Sequence, residues 1–289
     1  MKKYWQQKFA KQASSVRILI FGLIIICLQS FSCSFTTEEN LNYEWKLTFE
    51  DHFDSLDRSK WLTSFDWGNR TIWSNKELQW YKDENVFSEN GVLKIVTKME
   101  SVYGKDTEGE KQFEFTSGMI NTPRSFKQAY GKWEMKVKFP FREGFWPAFW
   151  LIPEQRPGLP EIDIFEYFGF KENEITCNQH WGIDFPNFPG GDYEGKSEPF
   201  YYRKSKVVEG DCSDRWMVWS FECYPDKMLW KLDGNVVFES KEGIPTAPMY
   251  LIANVAVKDW GGEYSVDYSG SPYVMEIDYV RVYKMVPKN

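Results

Sequence analysis

In the run Lys132-Trp133-Glu134-Met135-Lys136-Val137-Lys138-Phe139 every odd position is apolar and every even one charged. A period of two sets one face of an extended strand against a core and the other in water. Met228, Trp230 and Leu232 repeat the alternation and run into Asp233-Gly234, a dipeptide suited to the positive φ angles of a tight hairpin. Further strands are expected at 46–49, 92–98, 146–152, 175–181, 216–223, 236–239, 249–255 and 273–283, separated by turns rich in Gly, Pro, Asn and Asp. Beyond the N-terminus no segment sustains a long helical period. Many short strands without helices must bury their apolar faces against each other. The expected fold is therefore all-β, a sandwich or β-jelly-roll of two stacked, curved antiparallel sheets, the inner one forming a concave cleft, built as one domain over 43–285.

One strand carries chemistry. Glu161-Ile162-Asp163-Ile164-Phe165-Glu166 places three carboxylates in six residues of strand-forming sequence. Alternation points Glu161 and Asp163 to one face and the two isoleucines to the other, but it puts Glu166 among the isoleucines, where an unpaired charge is costly. A β-bulge absorbing Ile164 or Phe165 returns Glu166 to the face of the other acids, and bulges gather beside active sites. On a flat strand the outer glutamates stand more than ~13 Å apart at ~3.3 Å per residue, whereas a retaining glycosidase holds its two carboxyls ~5–5.5 Å apart. The strand must then be curved as well as bulged. In that geometry Glu161 is the nucleophile, Glu166 the acid and later the base, and Asp163 the group between them that tunes both. Three crowded carboxyls cannot all ionise at their free values, so one is expected to keep its proton near neutrality. Taken bare, the triplet also fits an acidic strand edge or a cation site.

Composition narrows the partners. Aromatic residues make up 18% of the chain, which suits a surface that stacks on sugar rings, although core packing also consumes them. A net charge of -7 argues against nucleic acid and against sulfated polyanions. There is no Gly-x-Ser-x-Gly elbow, no phosphate-cradling glycine loop and no His-Glu-x-x-His zinc pattern, and His52 and His180 are the only histidines. At the N-terminus Lys2, Lys3, Lys8, Lys11 and Arg17 precede an apolar run from Ile18 to Leu28, too short for the ~20 residues of a membrane span. Residues 1–33 read as a secretory signal. Ser30-Phe31-Ser32-Cys33 resembles a bacterial lipoprotein cleavage site with Cys33 as the lipidated first residue, and 34–42 reads as a polar tether. The expected location is outside the cell or on the surface of a bacterium, with the membrane reached only through Cys33 and the protein a monomer. Cys177, Cys212 and Cys223 allow one disulfide with a thiol left over, or three free buried thiols.

The acid strand and its neighbours resemble glycoside hydrolase family 16, the β-jelly-roll endo-glycanases that include laminarinases, lichenases, agarases and κ-carrageenases. The likeness runs from Leu47-Thr48-Phe49-Glu50-Asp51-His52-Phe53 through Trp73-Ser74-Asn75-Lys76-Glu77-Leu78-Gln79-Trp80-Tyr81, Ser117-Gly118-Met119-Ile120 and Trp146-Pro147-Ala148-Phe149-Trp150 to Ile277-Asp278-Tyr279-Val280-Arg281. It implies retaining hydrolysis of internal β-glycosidic bonds, with Glu161, Asp163 and Glu166 in the roles given above. Gly144-Phe145-Trp146-Pro147-Ala148-Phe149-Trp150 is most similar to laminarinases, which cleave β-1,3-glucan. The resemblance further implies substrate contacts at Asn75, Trp146, Asn178, His180 and Trp260. It implies no catalytic cofactor, but a structural calcium near Glu50, the Gly91 carbonyl and Asp278, whose oxygens suit that ion.

Two departures loosen the substrate assignment. Met119 stands where laminarinases usually carry arginine, and Arg156-Pro157-Gly158-Leu159-Pro160 enters Glu161 without the upstream tryptophan of many members. A mixed-linkage glucan, a galactan as in agarases and carrageenases, transglycosylation, or a carbohydrate-binding jelly roll without catalysis remain the alternatives.

Overall fold

A computed structural model describes residues 42–154, 159–169, 173–182, 202–210, 212–261, 266–267, 269 and 271–288. The signal-type segment with Cys33, the tether up to Leu41, and Arg156-Pro157-Gly158 lie outside the described residues. The chain from Tyr43 onward forms one unit, and of the preceding unit only Asn42 is described.

Among the described residues sixteen strands follow one another: β1 (Tyr43–Asp51), β2 (Gln79–Tyr81), β3 (Val86–Glu89), β4 (Val92–Lys105), β5 (Glu110–Ser117), β6 (Met119–Asn121), β7 (Gly131–Lys138), β8 (Phe145–Pro153), β9 (Glu161–Glu166), β10 (Glu174–Trp181), β11 (Tyr202–Glu209), β12 (Met217–Cys223), β13 (Met228–Leu232), β14 (Asn235–Ser240), β15 (Met249–Val257) and β16 (Tyr273–Pro287). Two short 3-10 turns, Trp73–Asn75 and Asp83–Asn85, are the helical elements among the described residues. The larger sheet has ten strands in the order β14-β13-β12-β7-β16-β4-β5-β2, with β1 on β16 and β3 on β4; the smaller has six in the order β11-β10-β9-β8-β15-β6. Pairing is antiparallel, as expected, apart from the one short parallel ladder between β2 and β5.

The alternation of β7 is realised residue by residue. Trp133, Met135 and Val137 are buried, while the charged positions between them form ion pairs on the other face, Lys132 with Glu134 at 2.7 Å and Lys136 with Asp278 at 2.6 Å. The hairpin after β13 turns through Asp233 and Gly234 with φ of 50° and 82°, the two positive angles its sequence announced.

Between the sheets lies one aromatic-rich core. From the smaller sheet it takes Phe149, Leu151, Ile162, Ile164, Phe165, Leu251 and Val255, and from the larger Trp133, Trp219, Phe221 and Trp230. Strand β15 is buried along its whole length, because its second face is also covered. There Ile252 joins Phe65, Tyr81, Met119, Ile152 and Tyr250 in a second apolar cluster. Cys177, Cys212 and Cys223 are free and buried, so of their two alternatives the structure has the three thiols.

Candidate active site

The acid strand sits inside the smaller sheet, between β8 and β10. Along β8 the register runs Ala148 to Glu166 and Phe149 to Phe165, then Trp150 to Asp163 and Leu151 to Ile162, so Ile164 is the extra residue. The pairing with β10 slips at the same place, between Thr176 opposite Glu166 and Asn178 opposite Asp163. This is the expected bulge. Ile162, Ile164 and Phe165 are completely buried in the sandwich core, and Glu161, Asp163 and Glu166 share the opposite face.

A bulge frees carbonyls from the ladder, and buried ones need other donors. Both are satisfied from behind. The indole of Trp230, reaching across from β13, donates Nε1–H to the Asp163 carbonyl at 3.0 Å, and the Cys177 thiol donates to the Ile164 carbonyl at 3.3 Å. Burial pushes the Cys177 thiol up and keeps it protonated as a donor. Neither residue was a candidate for this role in the sequence, where Trp230 read as ordinary core and Cys177 as a disulfide partner or free thiol.

On the cleft face the acids are crowded and largely dry. Asp163 is 3% exposed and Glu166 8%, whereas the Glu161 side chain keeps 35% of its surface open. Glu166 accepts hydrogen bonds from Trp146 Nε1 at 3.0 Å and from Asn178 Nδ2. His180 Nε2 lies 3.2 Å from Asp163 Oδ2 and 4.0 Å from Glu161 Oε1. Burial pushes the Glu166 carboxyl up to about 8, and the charge of Asp163 adds to that against the pull of His180, Asn178 and Trp146. Asp163 is raised by burial, which Arg203 and a hydrogen bond with Glu166 oppose. Glu161 is raised likewise to about 8, by burial and then by Asp163, but water reaching its open third screens it, so of the two glutamates it is the one that ionises first. Glu166 therefore holds a proton at neutral pH, with Asp163 beside it as acceptor, and the group open to a ligand is Glu161. Such an arrangement can donate a proton at one end and present a nucleophile at the other.

The remaining predicted residues divide. Asn178 and His180 meet the acids directly. Trp146 does too, but through its ring nitrogen; its ring lies 5.5 Å from that of Trp260, and Lys258 Nζ stands 4.3 Å over Trp260 and 5.7 Å over Trp146. Asn75 turns its amide to Glu77, a buried carboxylate that also accepts from Ile72 N and Gln79 Nε2. Sequence reasoning passed over Trp150 and Asn254, bonded to each other at 2.7 Å on the cleft side of β8 and β15. It also missed Arg203, whose guanidinium reaches Asn178 from the edge strand β11. Met119, at the arginine position, is fully buried in the apolar cluster with Tyr81 and Ile252.

The calcium expectation meets competitors. Asp278 Oδ2 is held by Lys136 Nζ at 2.6 Å, and Glu50 lies 3.4 Å from His52 Nε2. Among the described residues, three metal-type ligand atoms come together only at Glu161, Asp163 and His180, the group just described.

The profile of glycosyl hydrolases family 16 matches residues 73–281. The β-glucanase of Rhodothermus marinus is 29% identical, over 84% of this chain and 86% of that protein. The endo-1,3-1,4-β-glycanase EglC of Rhizobium meliloti is 28% identical over 82% of this chain and 51% of its own length, so the chain spans about half of that relative. Among solved structures, the catalytic domain of an endo-1,3-β-glucanase (laminarinase) from Thermotoga petrophila is 29% identical, with a TM-score of 0.66 over 86% of this chain and 100% of that one.

Proposed function

The chain belongs to glycosyl hydrolases family 16, and on that footing we propose that Glu161, Asp163 and Glu166 carry out retaining endo-hydrolysis of β-1,3-glucans. The observation that supports this reading most is the bulge at Ile164, which gathers the three carboxyls on one face of β9. Glu161 attacks the anomeric carbon while Glu166 gives its proton to the departing glycosidic oxygen, so that a glycosyl ester forms on Glu161 and a free sugar end leaves. Glu166, now a carboxylate, takes a proton from water, which displaces Glu161 with a second inversion. Before that step Asp163 accepts from the protonated Glu166, releasing it as the proton passes to the leaving oxygen, and its other contact is to His180 Nε2 at 3.2 Å. Side chains supply the nucleophile and the acid, and the attacking water restores the proton to Glu166, so the step as written calls on no cofactor.

A lectin-like jelly roll has no use for three carboxyls held together against their own repulsion. The substrate finer than β-glucan rests on the laminarinase-like Trp146 segment and on the names of the relatives, some of which act on mixed 1,3-1,4 linkages. The purified domain is to be incubated with laminarin, mixed-linkage glucan, agarose and carrageenan while new reducing ends are followed. Release from laminarin, with the β-anomer first in proton NMR, supports the reading; release of the α-anomer first, or from none of the four, refutes it.

The same proposal places the protein outside the cytoplasm of a bacterium, as a monomer held by a lipid on Cys33. Support comes from the basic and apolar N-terminus. Labelling with a radioactive fatty acid that persists in C33S overturns the anchor. A structural calcium at Glu50, Gly91 and Asp278 has to displace Lys136, and a melting temperature indifferent to both chelator and added calcium removes it from the account.

A further inference from the structure

Asn178 is completely buried, yet two residues of an exposed edge strand converge on it. Arg203 Nη2 donates to Asn178 Oδ1 at 3.0 Å and Ser205 Oγ donates to the same oxygen at 2.6 Å. On its far side the amide donates from Nδ2 to Glu166 Oε2. The two ends of this amide are not interchangeable here. Turned over, it would set Nδ2 against a guanidinium and Oδ1 against Glu166, repelling that group in its carboxylate stage, and would give up four hydrogen bonds, the fourth from Arg203 Nε at 3.4 Å.

We propose that Arg203 and Ser205 are positioning residues of the acid/base, acting through Asn178: they hold its amide so that the nitrogen always faces Glu166. This rests on the hydrolase reading only for the name of the step affected. The group being positioned must lose a proton and regain it once per turnover, and a fixed donor stabilises the carboxylate stage of that cycle. If the amide turns freely, the oxygen end favours the protonated carboxyl, and Glu166 becomes a weaker acid toward the leaving group. The other groups facing Glu166 are Trp146 from β8, Asp163 and Glu161 from its own strand, His180 from β10 and the buried Cys177 thiol behind. All are left in place by changes on β11. Arg203 also acts as a charge on Glu161 and Asp163, which Ser205 does not. The serine therefore isolates the hydrogen bond from the charge.

The experiment compares wild type, S205A, R203K and the R203M/S205A double variant. One readout is the pH profile of reducing-end release from laminarin; the other is the carboxyl titration of Glu166 by carbon NMR, assigned by its loss in E166Q. In the double variant the Glu166 titration and the alkaline limb of the profile should move up together by about one pH unit, the worth of one charge-assisted hydrogen bond. At neutral pH kcat should fall about tenfold while KM and melting temperature hold. S205A should move the titration the same way by less, and R203K should restore most of it. A Glu166 titration unchanged in the double variant overturns the proposal, as does a shift in R203M/S205A that is absent from S205A, which would assign the effect to charge alone. If wild type hydrolyses no glucan, the hydrolase reading fails while the carboxyl titration still decides the relay.

Discussion

Replacing Glu166 by glutamine should stabilise the fold, and by an amount that grows with pH. The folded carboxyl titrates at about 8, against 4.5 for the free group. Below pH 4.5 both folded and unfolded chains carry the proton, so a neutral carboxyl and a neutral amide are nearly equivalent. Between 4.5 and 8 the folded protein binds a proton that the unfolded chain releases, and wild-type stability falls as pH rises. Above 8 the folded protein must bury the charge. A difference of 3.5 units, 8 minus 4.5, corresponds to at most about 5 kcal/mol at ~1.36 kcal/mol per unit. Asp163 shares the proton through its hydrogen bond with Glu166 and relaxes as the site ionises, so about 2–4 kcal/mol is expected. Urea denaturation of wild type and E166Q at pH 4 and pH 9, followed by tryptophan fluorescence, measures it. The variant should match wild type at the lower pH and exceed it at the higher one. An advantage that does not change with pH would mean that Glu166 is not protonated in the folded state, and the acid role would lose its physical basis.

Other perturbations separate the roles around it. Glu161→Gln should cut turnover by roughly 10⁴-fold or more while laminarin binding persists in affinity electrophoresis; retained turnover refutes its role as nucleophile. Trp230→Phe keeps the ring in the core but orphans the Asp163 carbonyl, so unfolding free energy should drop by about 1–3 kcal/mol and kcat should fall more than KM rises. Unchanged kinetics would show that the bulge holds without that donor. Trp146→Phe removes one donor to the Glu166 carboxylate, so the alkaline limb of the rate profile should shift to higher pH; a downward shift contradicts the assignment.

What the sequence discloses here follows from which residues obey a period. Strand β7 and the hairpin after β13 were legible because charged and apolar residues alternate without interruption. Even the bulge was legible, as the one place where alternation would have put a carboxylate in the core. Strand β11 was not, because Tyr-Arg-Lys-Ser-Lys-Val-Val-Glu at a sheet edge has no apolar face to repeat, and Arg203 and Ser205 went unnoticed with it. Trp230 was hidden for the opposite reason. It sits at a regular core position, and only the folded chain reveals that its indole hydrogen meets a carbonyl from the other sheet. The acid-bearing face of β9 is thus fixed from both sides by residues whose sequence context does not announce that role. The core donors Trp230 and Cys177 set where the three carboxyls stand, and the polar edge, through Asn178, sets which way one hydrogen bond to Glu166 points. A chain that kept Glu161, Asp163 and Glu166 but lost those supports would retain the motif and lose the geometry. Fidelity of the six-residue pattern alone is therefore a weaker guide to activity than the pattern together with its hydrogen-bond partners.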